Sequence, residues 1–147
     1  MDGKGIHLYL RDISQAYVQS TTELNCDFYV RPLKELQIEL RISQDNVLKV
    51  IKPLYRVLEA GNHWFRTYHS HHITQMGMEQ SSYDPCLLYN NSIWFSIVGL
   101  QTDDTLFLAN REFTALEEDR LHKAQFMAKE CERLELGNPL KFNGGII

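Results

Sequence analysis

The stretch IWFSIVGLQTDDTLFLA, residues 93–109, holds two apolar runs that are separated by a few polar residues. Runs of this length and composition, with turn-forming residues between them, are typical of a β-hairpin. The acidic pair Asp103 and Asp104 falls at the predicted turn. We therefore predict a hairpin over Ile93 to Ala109 that carries two adjacent carboxylates at its tip.

The rest of the chain predicts short strands and two long helices. For the first long helix we expect Asn62 as the N-cap and Gly77 as the left-handed stop, and the second has one apolar stripe. In chain order the predicted segments are a buried strand over Gly5 to Leu10 that runs into Arg11 and Asp12, a turn or short helix over Ile13 to Val18, short strands over Asp27 to Val30 and Val47 to Ile51, a helix over Asn62 to Met76, a strand over Cys86 to Tyr89, the hairpin, a helix over Arg111 to Leu134, and one more short strand within Pro139 to Ile147. This order indicates an α+β fold with helices packed on one face of a mostly antiparallel sheet.

Composition places the chain in a broad class. Its 147 residues are 44% apolar and 23% charged, as in an ordinary globular domain with a real core. No apolar run reaches membrane-spanning length, and the first residues lack the layout of a signal peptide. The three cysteines are an odd number without C-x-x-C spacing, which favours reduced thiols. We therefore expect an intracellular protein, in the cytoplasm or the nucleus.

Charge argues against a simple electrostatic nucleic-acid binder, because the net charge is −4. The distribution is uneven, since residues 27–75 contain seven Lys or Arg against five Asp or Glu. The middle of the chain is therefore mildly cationic, and charge alone does not decide the function.

Acidic residues end two of the apolar runs: Asp12 follows the run IHLYL at residues 6–10, and Asp103 with Asp104 follows the run ending at Leu100. Carboxylates at the ends of buried strands are held rigidly and can share a cation. Their hard oxygens suit Mg²⁺, and two such ions can activate an attacking hydroxyl and stabilise a leaving pyrophosphate. On spacing alone, however, a hairpin turn for the pair and a strand-end turn or helix N-cap for Asp12 remain favoured.

Four blocks of sequence bear on this choice. They are RDISQAYVQ at residues 11–19, KPLY at 52–55 with EAG at 59–61 and Trp64, SYDPCLLY at 82–89, and GLQTDDTL at 99–106. In this order they resemble the palm motifs of reverse transcriptases from copia-type LTR retrotransposon polyproteins. The helix after the hairpin and the KFNG sequence at 141–144 also resemble fungal members of that family.

The resemblance implies an RNA-directed DNA polymerase built on a palm-like antiparallel sheet. Its partners would be an RNA or DNA template, a DNA primer and deoxynucleotides. Its cofactor would be Mg²⁺ as two ions, with Mn²⁺ as a substitute. The catalytic and metal-binding residues would be Asp12, Asp103 and Asp104, the last as a ligand or a close neighbour of the metals.

The nucleotide pocket would hold Tyr17, with Ala16 and Gln15 beside it. By the resemblance, Tyr17 is a steric gate that packs under the incoming sugar and rejects a 2′-hydroxyl. The alternative is an ordinary core tyrosine.

Four residues, at three places in the sequence, depart from the family pattern. Arg56 stands where glycine is usual, so a positive φ there would strain the backbone. Glu59 replaces a common glutamine and would repel a triphosphate, and Gln101-Thr102 replaces the usual Tyr-Val.

The expected extent of the domain is also unusual. Residues 1–147 read as one palm fragment, with motif blocks over about 6–110 and a following helix and tail over 111–147. The fingers, thumb and ribonuclease H parts of the polyprotein are expected elsewhere, so this chain should have little activity alone. Two rivals remain, a catalytically dead relic that acts as a binding module and an unrelated Mg²⁺-dependent phosphohydrolase.

Two further clusters lie on the first long helix. His69, His71 and His72 are close in sequence, but a zinc site needs further ligands, and a solvated or partly buried polar face is favoured. Trp64 and Tyr68 could stack on bases, although their helical spacing favours core packing.

Overall fold

A computed structural model describes residues 5–90, 92 and 94–147. The described residues form a six-stranded antiparallel sheet, two small two-stranded sheets and three α-helices. In chain order the elements are β1 His7–Asp12, a 3-10 helix Ala16–Gln19, β2 Phe28–Val30, α1 Lys34–Leu40, β3 Leu48–Val50, α2 Ala60–Met76, β4 Glu79–Gln80, β5 Leu87–Asn90, β6 Ser96–Gln101, β7 Asp104–Ala109, α3 Arg111–Lys123, β8 Glu132–Arg133, β9 Lys141–Phe142 and β10 Gly145–Ile146. None of the described helices is both long and apolar enough to cross a lipid bilayer.

The predicted hairpin lies at the centre of the main sheet, whose strand order is β4-β5-β6-β7-β1-β8. Strands β6 and β7 pair from Ser96 with Ala109 to Gln101 with Asp104. The predicted hairpin is therefore confirmed over these residues, while Ile93 lies outside the described residues. On its other side, β7 pairs along its whole length with β1.

One face of this sheet forms the core. Val98, Leu100, Phe107 and Ala109 alternate along the hairpin and are buried, as expected for strands with one covered face. Helices α2 and α3 contribute Trp64, Tyr68, Phe113 and Leu121 to the same cluster of buried side chains. The predicted α+β fold, with helices against an antiparallel sheet, is confirmed, and so is core packing for Trp64 and Tyr68.

The start of α2 differs from the prediction. The helix begins at Ala60, so Asn62 lies inside it and Glu59 is the N-cap. A turn in which the N–H of Ala60 donates to Val57 leads directly into the helix, which explains the earlier start. The predicted end is confirmed, because Gly77 caps the helix with a φ of 62°.

The end of α3 was predicted too late. The helix stops at Lys123 rather than Leu134, and Gln125 follows with a left-handed φ of 59°. The next residues turn back and pair with the free edge of β1, where Ser14 donates to Met127 and Lys129 donates to Asp12, each at 2.9 Å. Covering an open strand edge satisfies backbone groups that a continued helix would leave exposed.

Between the predicted strands β2 and β3 lies helix α1, which the sequence analysis did not predict. Strands β2 and β3 pair antiparallel from Phe28 with Val50 to Val30 with Leu48. Within α1 the side chain of Gln37 is buried and donates to the carbonyl of Pro32 at 2.8 Å, which holds the helix against the preceding turn.

Candidate functional site

The three acidic residues singled out in the sequence lie at the same end of neighbouring strands. Asp12 is the register partner of Asp104 in the β1–β7 pair. Asp103 precedes Asp104 in the hairpin turn, and its carbonyl accepts the N–H of Ile13 at 2.9 Å. The fold thus brings together residues that are about ninety positions apart in the sequence.

The turn that carries Asp103 has a constrained backbone. Because Gln101 pairs with Asp104, the turn consists of Thr102 and Asp103. Thr102 has a φ of 49°, an unusual conformation for a β-branched residue. Its carbonyl accepts the Nε1–H of buried Trp64 at 2.7 Å, which ties the turn to helix α2. Strain held by the surrounding structure is frequent at functional sites.

The electrostatics of this end of the sheet are those of crowded carboxylates. Partial burial raises the pKa of Asp104, and the negative charges of Asp103 and Asp12 raise it further, while Lys129 acts in the opposite direction. A cation placed among these groups would relieve the repulsion, which is the electrostatic condition for a metal site.

Lys129 is the cation that the structure places at this cluster, and sequence reasoning missed it. Its Nζ forms an ion pair with Oδ2 of Asp12, and the two residues are also joined through their backbones. The hydrogen bond and the charge of Asp12 raise the pKa of Lys129. The sequence carried no local signal for this contact, because it depends on the pairing of the segment after α3 with β1.

The chemistry of the carboxylates fits Mg²⁺, which prefers hard oxygen ligands. Their arrangement is less favourable for a metal. In the described part of the chain, no group of three or more His, Cys, Asp or Glu side chains has an arrangement that could hold a metal ion. Asp12 is engaged with Lys129, so a metal at Asp12 has to compete with the ammonium group.

A buried ion pair holds Lys129 in its place. Arg11, which immediately precedes Asp12, donates to Glu117 on α3 through Nε at 3.1 Å and Nη2 at 2.6 Å. Its Nη1 donates to the carbonyl of Lys129 at 2.7 Å. Burial lowers the pKa of Arg11, but the hydrogen bonds and charge of Glu117 outweigh it and raise the pKa above its usual range. Arg11 thus links β1, α3 and the segment that carries Lys129.

Tyr17 lies beside this cluster in contact with a second tyrosine. Its ring is half-buried and packs against that of Tyr55, with centroids 4.4 Å apart. Burial raises the pKa of Tyr55, and the charges of Asp103 and Asp12 contribute in the same direction, so the Tyr55 hydroxyl lies within electrostatic reach of these carboxylates. The role of Tyr17 as a sugar gate stays a prediction, and Tyr55 is a neighbour to which sequence reasoning gave no role.

The two residues before Tyr17 occupy different environments. Ala16 is fully buried, whereas Gln15 is exposed and has a left-handed φ of 50° at the start of the 3-10 helix. Gln15 is therefore accessible to a ligand, while Ala16 contributes to the packing behind the tyrosine.

Two departures from the family pattern have structural counterparts. Arg56 has a φ of 74°, so the strain expected for a non-glycine residue at this position is present. Glu59 accepts hydrogen bonds from Asn25 through Nδ2 at 2.6 Å and the backbone N–H at 3.2 Å. Burial acts to raise the pKa of Glu59, but the bonds from Asn25 and His63 lower it, so this carboxylate stays ionised.

Of the three clustered histidines of α2, His71 and His72 are buried and His69 is half-buried, so the expected polar face is a partly buried one. Burial lowers the pKa of His71 to about 4, with the positive charge of Arg120 adding to the effect. Burial likewise lowers the pKa of His72 to about 3, although its Nδ1–H donates to the carbonyl of Tyr68 at 2.9 Å. Both imidazoles are therefore neutral at pH 7.

Comparison with known proteins finds relatives among retrotransposon polyproteins of Saccharomyces cerevisiae. The chain is 29% identical over 87 residues to the Transposon Ty1-BL Gag-Pol polyprotein, covering 59% of this chain and 5% of that protein. It is 29% identical over 82 residues to the Truncated transposon Ty1-A Gag-Pol polyprotein, covering 56% of this chain and 6% of that protein. No family model and no solved structure matches the chain. The chain is thus similar to a small part of Gag-Pol polyproteins from a copia-type retrotransposon.

Proposed function

We propose that this chain is the palm of an RNA-directed DNA polymerase, the reverse transcriptase of a copia-type retrotransposon polyprotein. The observation that carries the proposal is the placement of Asp12 opposite Asp104 in register, with Asp103 in the adjoining turn. The similarity to Gag-Pol polyproteins supports the same family. The four sequence blocks then fall on the end of β1 with the 3-10 helix that follows it, on the segment entering α2, on β5 with the turn before it, and on the β6–β7 hairpin.

In this function Asp12 and Asp103 would hold two Mg²⁺ ions, with Asp104 as a further ligand or a close neighbour. Bound Mg²⁺ supplies activation of a primer 3′-hydroxyl and stabilisation of the leaving pyrophosphate. Because Lys129 pairs with Asp12, the ammonium group and Mg²⁺ compete for one carboxylate. Trp64 keeps the turn at Thr102 in place, so Asp103 is positioned before any ligand binds.

Tyr17, Ala16 and Gln15 form the proposed nucleotide pocket. Tyr17 is held from one side by Tyr55, whose ring centroid is 4.4 Å from its own. A ring in that position can exclude a 2′-hydroxyl by steric contact. Tyr17→Ala in the complete polymerase should therefore raise ribonucleotide incorporation relative to deoxynucleotide incorporation in a primer-extension assay, and an unchanged ratio would return Tyr17 to a purely structural role.

Metal binding is the most direct test of the carboxylate cluster. Mn²⁺ can serve as the paramagnetic probe and Mg²⁺ as its competitor, with binding followed by the NMR line broadening of assigned backbone amides. Asp103→Asn should weaken Mn²⁺ binding about tenfold or more, because it removes a charged oxygen ligand. The matched control is Asp45→Asn, the same chemical change in an exposed loop distant in sequence from the cluster. Equal effects of the two substitutions would reject the metal site.

A non-catalytic binding module is the second candidate, and the Lys129–Asp12 ion pair favours it. An internal ammonium can take the place of a metal as the counter-charge of Asp12. Lys129→Gln separates the two functions: in a polymerase palm it should strengthen Mn²⁺ binding by removing a competitor, with Lys141→Gln as the control. If Lys129→Gln leaves Mn²⁺ binding absent or unchanged, the non-catalytic function gains support.

A further inference from the structure

An open cleft of about 730 Å³ lies between α2 and the end of α3, apart from the carboxylate cluster. Asp12, Asp103 and Asp104 are not among its lining residues. The lining residues include Ser70 and His71 on α2 and Arg120, Lys123 and Phe126 from α3 and the turn that follows it. Its walls are therefore rich in hydrogen-bond donors and contain two cationic side chains.

Two donors of this cleft are buried without a partner. Nε of Arg120 and Nε2 of His71 have no hydrogen-bond acceptor among the described residues. His71 is more than nine-tenths buried, with 7% of its surface exposed. Burying a polar group without a partner is unfavourable, so native structures rarely contain two side by side unless something else binds them. The residues that carry both groups line the same cleft, so a ligand in the cleft is a candidate acceptor for them.

The charge of the cleft identifies the kind of acceptor. Arg120 forms no ion pair with any described residue, whereas the neighbouring Lys123 is paired with Asp119 at 2.8 Å. His71 is neutral at pH 7, because burial and the positive charge of Arg120 lower its pKa to about 4. The net charge at the unpartnered donors is therefore positive, and the complementary ligand is an anion.

The shape and the donors favour a phosphate group over a smaller anion. A guanidinium offers a planar fork of N–H groups that fits phosphate oxygens, and such charge-assisted hydrogen bonds are strong. The hydroxyl of exposed Ser70 adds a further donor on the α2 wall. The volume of the cleft exceeds that of one phosphate group. The ring of Phe126 offers an apolar surface for the rest of the ligand, and its centroid is 5.1 Å from that of His71.

We propose that this cleft binds a phosphate monoester of nucleotide size, held by the Arg120 guanidinium and the Nε2–H of His71, with Ser70 as an added donor. The site goes beyond the proposed polymerase function, because it uses none of the residues of the carboxylate cluster. It can be present whether or not that cluster binds metal.

The test measures binding of deoxyadenosine 5′-monophosphate, inorganic phosphate and acetate to the intact chain by isothermal titration calorimetry. EDTA is present throughout, so that a metal bridge at the carboxylates cannot hold the phosphate. The nucleotide should bind most tightly, inorganic phosphate more weakly and acetate weakest. A response to acetate equal to that of the nucleotide would overturn the assignment to a phosphate ligand.

The variants locate the binding site. Arg120→Gln should weaken nucleotide binding at least tenfold, and His71→Phe, which keeps an aromatic ring against Phe126 but loses the donor, should weaken it several-fold. The matched control is Arg111→Gln, the same change at the exposed start of the same helix, which should bind like the parent. Arg120→Lys retains the charge but lacks the fork, and an intermediate affinity is expected.

Thermal unfolding gives a second readout that a merely structural role would not move. In the parent, the Nε–H of Arg120 is buried without an acceptor, which is unfavourable. Because Arg120→Gln removes this group, the variant without ligand should unfold no earlier than the parent. The nucleotide should raise the unfolding temperature of the parent and of Arg111→Gln, but not that of Arg120→Gln. Absence of binding to the parent, or equal binding to parent and Arg120→Gln, would overturn the proposal.

Discussion

The backbone at Arg56 lies in the left-handed region, with a φ of 74°. A residue with a β-carbon pays about 1–2 kcal/mol for this conformation, whereas glycine adopts it freely but loses more entropy on folding. Arg56→Gly should therefore raise the free energy of unfolding by about 0.5–1 kcal/mol, as measured by urea denaturation. Arg56→Ala is the control, since it removes the side chain and keeps the strained backbone. If alanine stabilises as much as glycine, the side chain rather than φ is the cause.

His72 gives the stability of the fold a defined dependence on pH. Its folded pKa of about 3 lies below the ordinary value of 6.5, because burial disfavours the charged ring. Below pH 6.5 the unfolded chain therefore binds a proton that the folded chain does not. The stabilisation is complete above about pH 6.5 and is lost as the pH falls towards the folded pKa, by up to about 1.4 kcal/mol per pH unit.

The prediction for His72 is a loss of acid sensitivity on substitution. His72→Phe, which keeps a ring next to Tyr68, should reduce the slope of stability against pH between about 6 and 4 by one proton. The stability of His72→Phe should still depend on pH, because burial also lowers the pKa of His71. His122→Gln, at an exposed position on α3, should leave the slope unchanged. Urea denaturation at several pH values measures both, and an unchanged slope in His72→Phe would contradict the assignment.

At the scale of elements, the Arg11–Glu117 pair joins strand β1 to helix α3. Both side chains are almost fully buried, so removing Arg11 leaves the carboxylate of Glu117 as an unpaired charge in the core. Arg11→Leu should lower the free energy of unfolding by about 3–5 kcal/mol. The double variant Arg11→Leu with Glu117→Leu should recover much of that loss, because it leaves no buried charge. A double-mutant cycle measures the coupling, and additive effects would show that the pair is not coupled.

Local sequence pattern accounts for the elements that were predicted well. The β6–β7 hairpin, strand β1 and the end of α2 at Gly77 each follow from signals within a few residues, namely apolar runs, turn residues and a left-handed glycine. The end of α3 was predicted wrongly because the apolar stripe continues past Lys123, while the actual stop depends on pairing with β1. Edge pairing is a tertiary contact, and no pattern within residues 111–134 encodes it.

The candidate site likewise contains some residues that the sequence pattern predicts and others that depend on tertiary contacts. Asp12, Asp103 and Asp104 could be singled out because each follows an apolar run, and β1–β7 pairing brings them to one end of the sheet. Lys129 could not, because its contact with Asp12 requires the segment after α3 to turn back along β1. The donors of the cleft at Arg120 were missed for a related reason, since an unsatisfied N–H is a property of packing and not of sequence.

At the scale of the whole molecule, several cationic side chains are already engaged by carboxylates. The net charge is −4, which gives limited attraction to a polyanionic template. Lys129 is paired with Asp12, Lys49 with Asp27 at 2.7 Å, and Arg11 is buried with Glu117. Few of these cations are therefore available to grip a triphosphate or a nucleic-acid backbone.

We therefore expect this chain by itself to bind metal weakly and to perform no templated DNA synthesis. Phosphoryl transfer depends on positioning and on charge stabilisation, and each lost interaction of about 1.4 kcal/mol lowers the rate tenfold. The assay combines the purified chain with an RNA template, a DNA primer, deoxynucleotides and Mg²⁺, in parallel with Asp103→Asn. Robust extension by the parent that disappears in Asp103→Asn would contradict the expectation, and would mean that the carboxylate cluster and its neighbouring tyrosines suffice for catalysis without further cations.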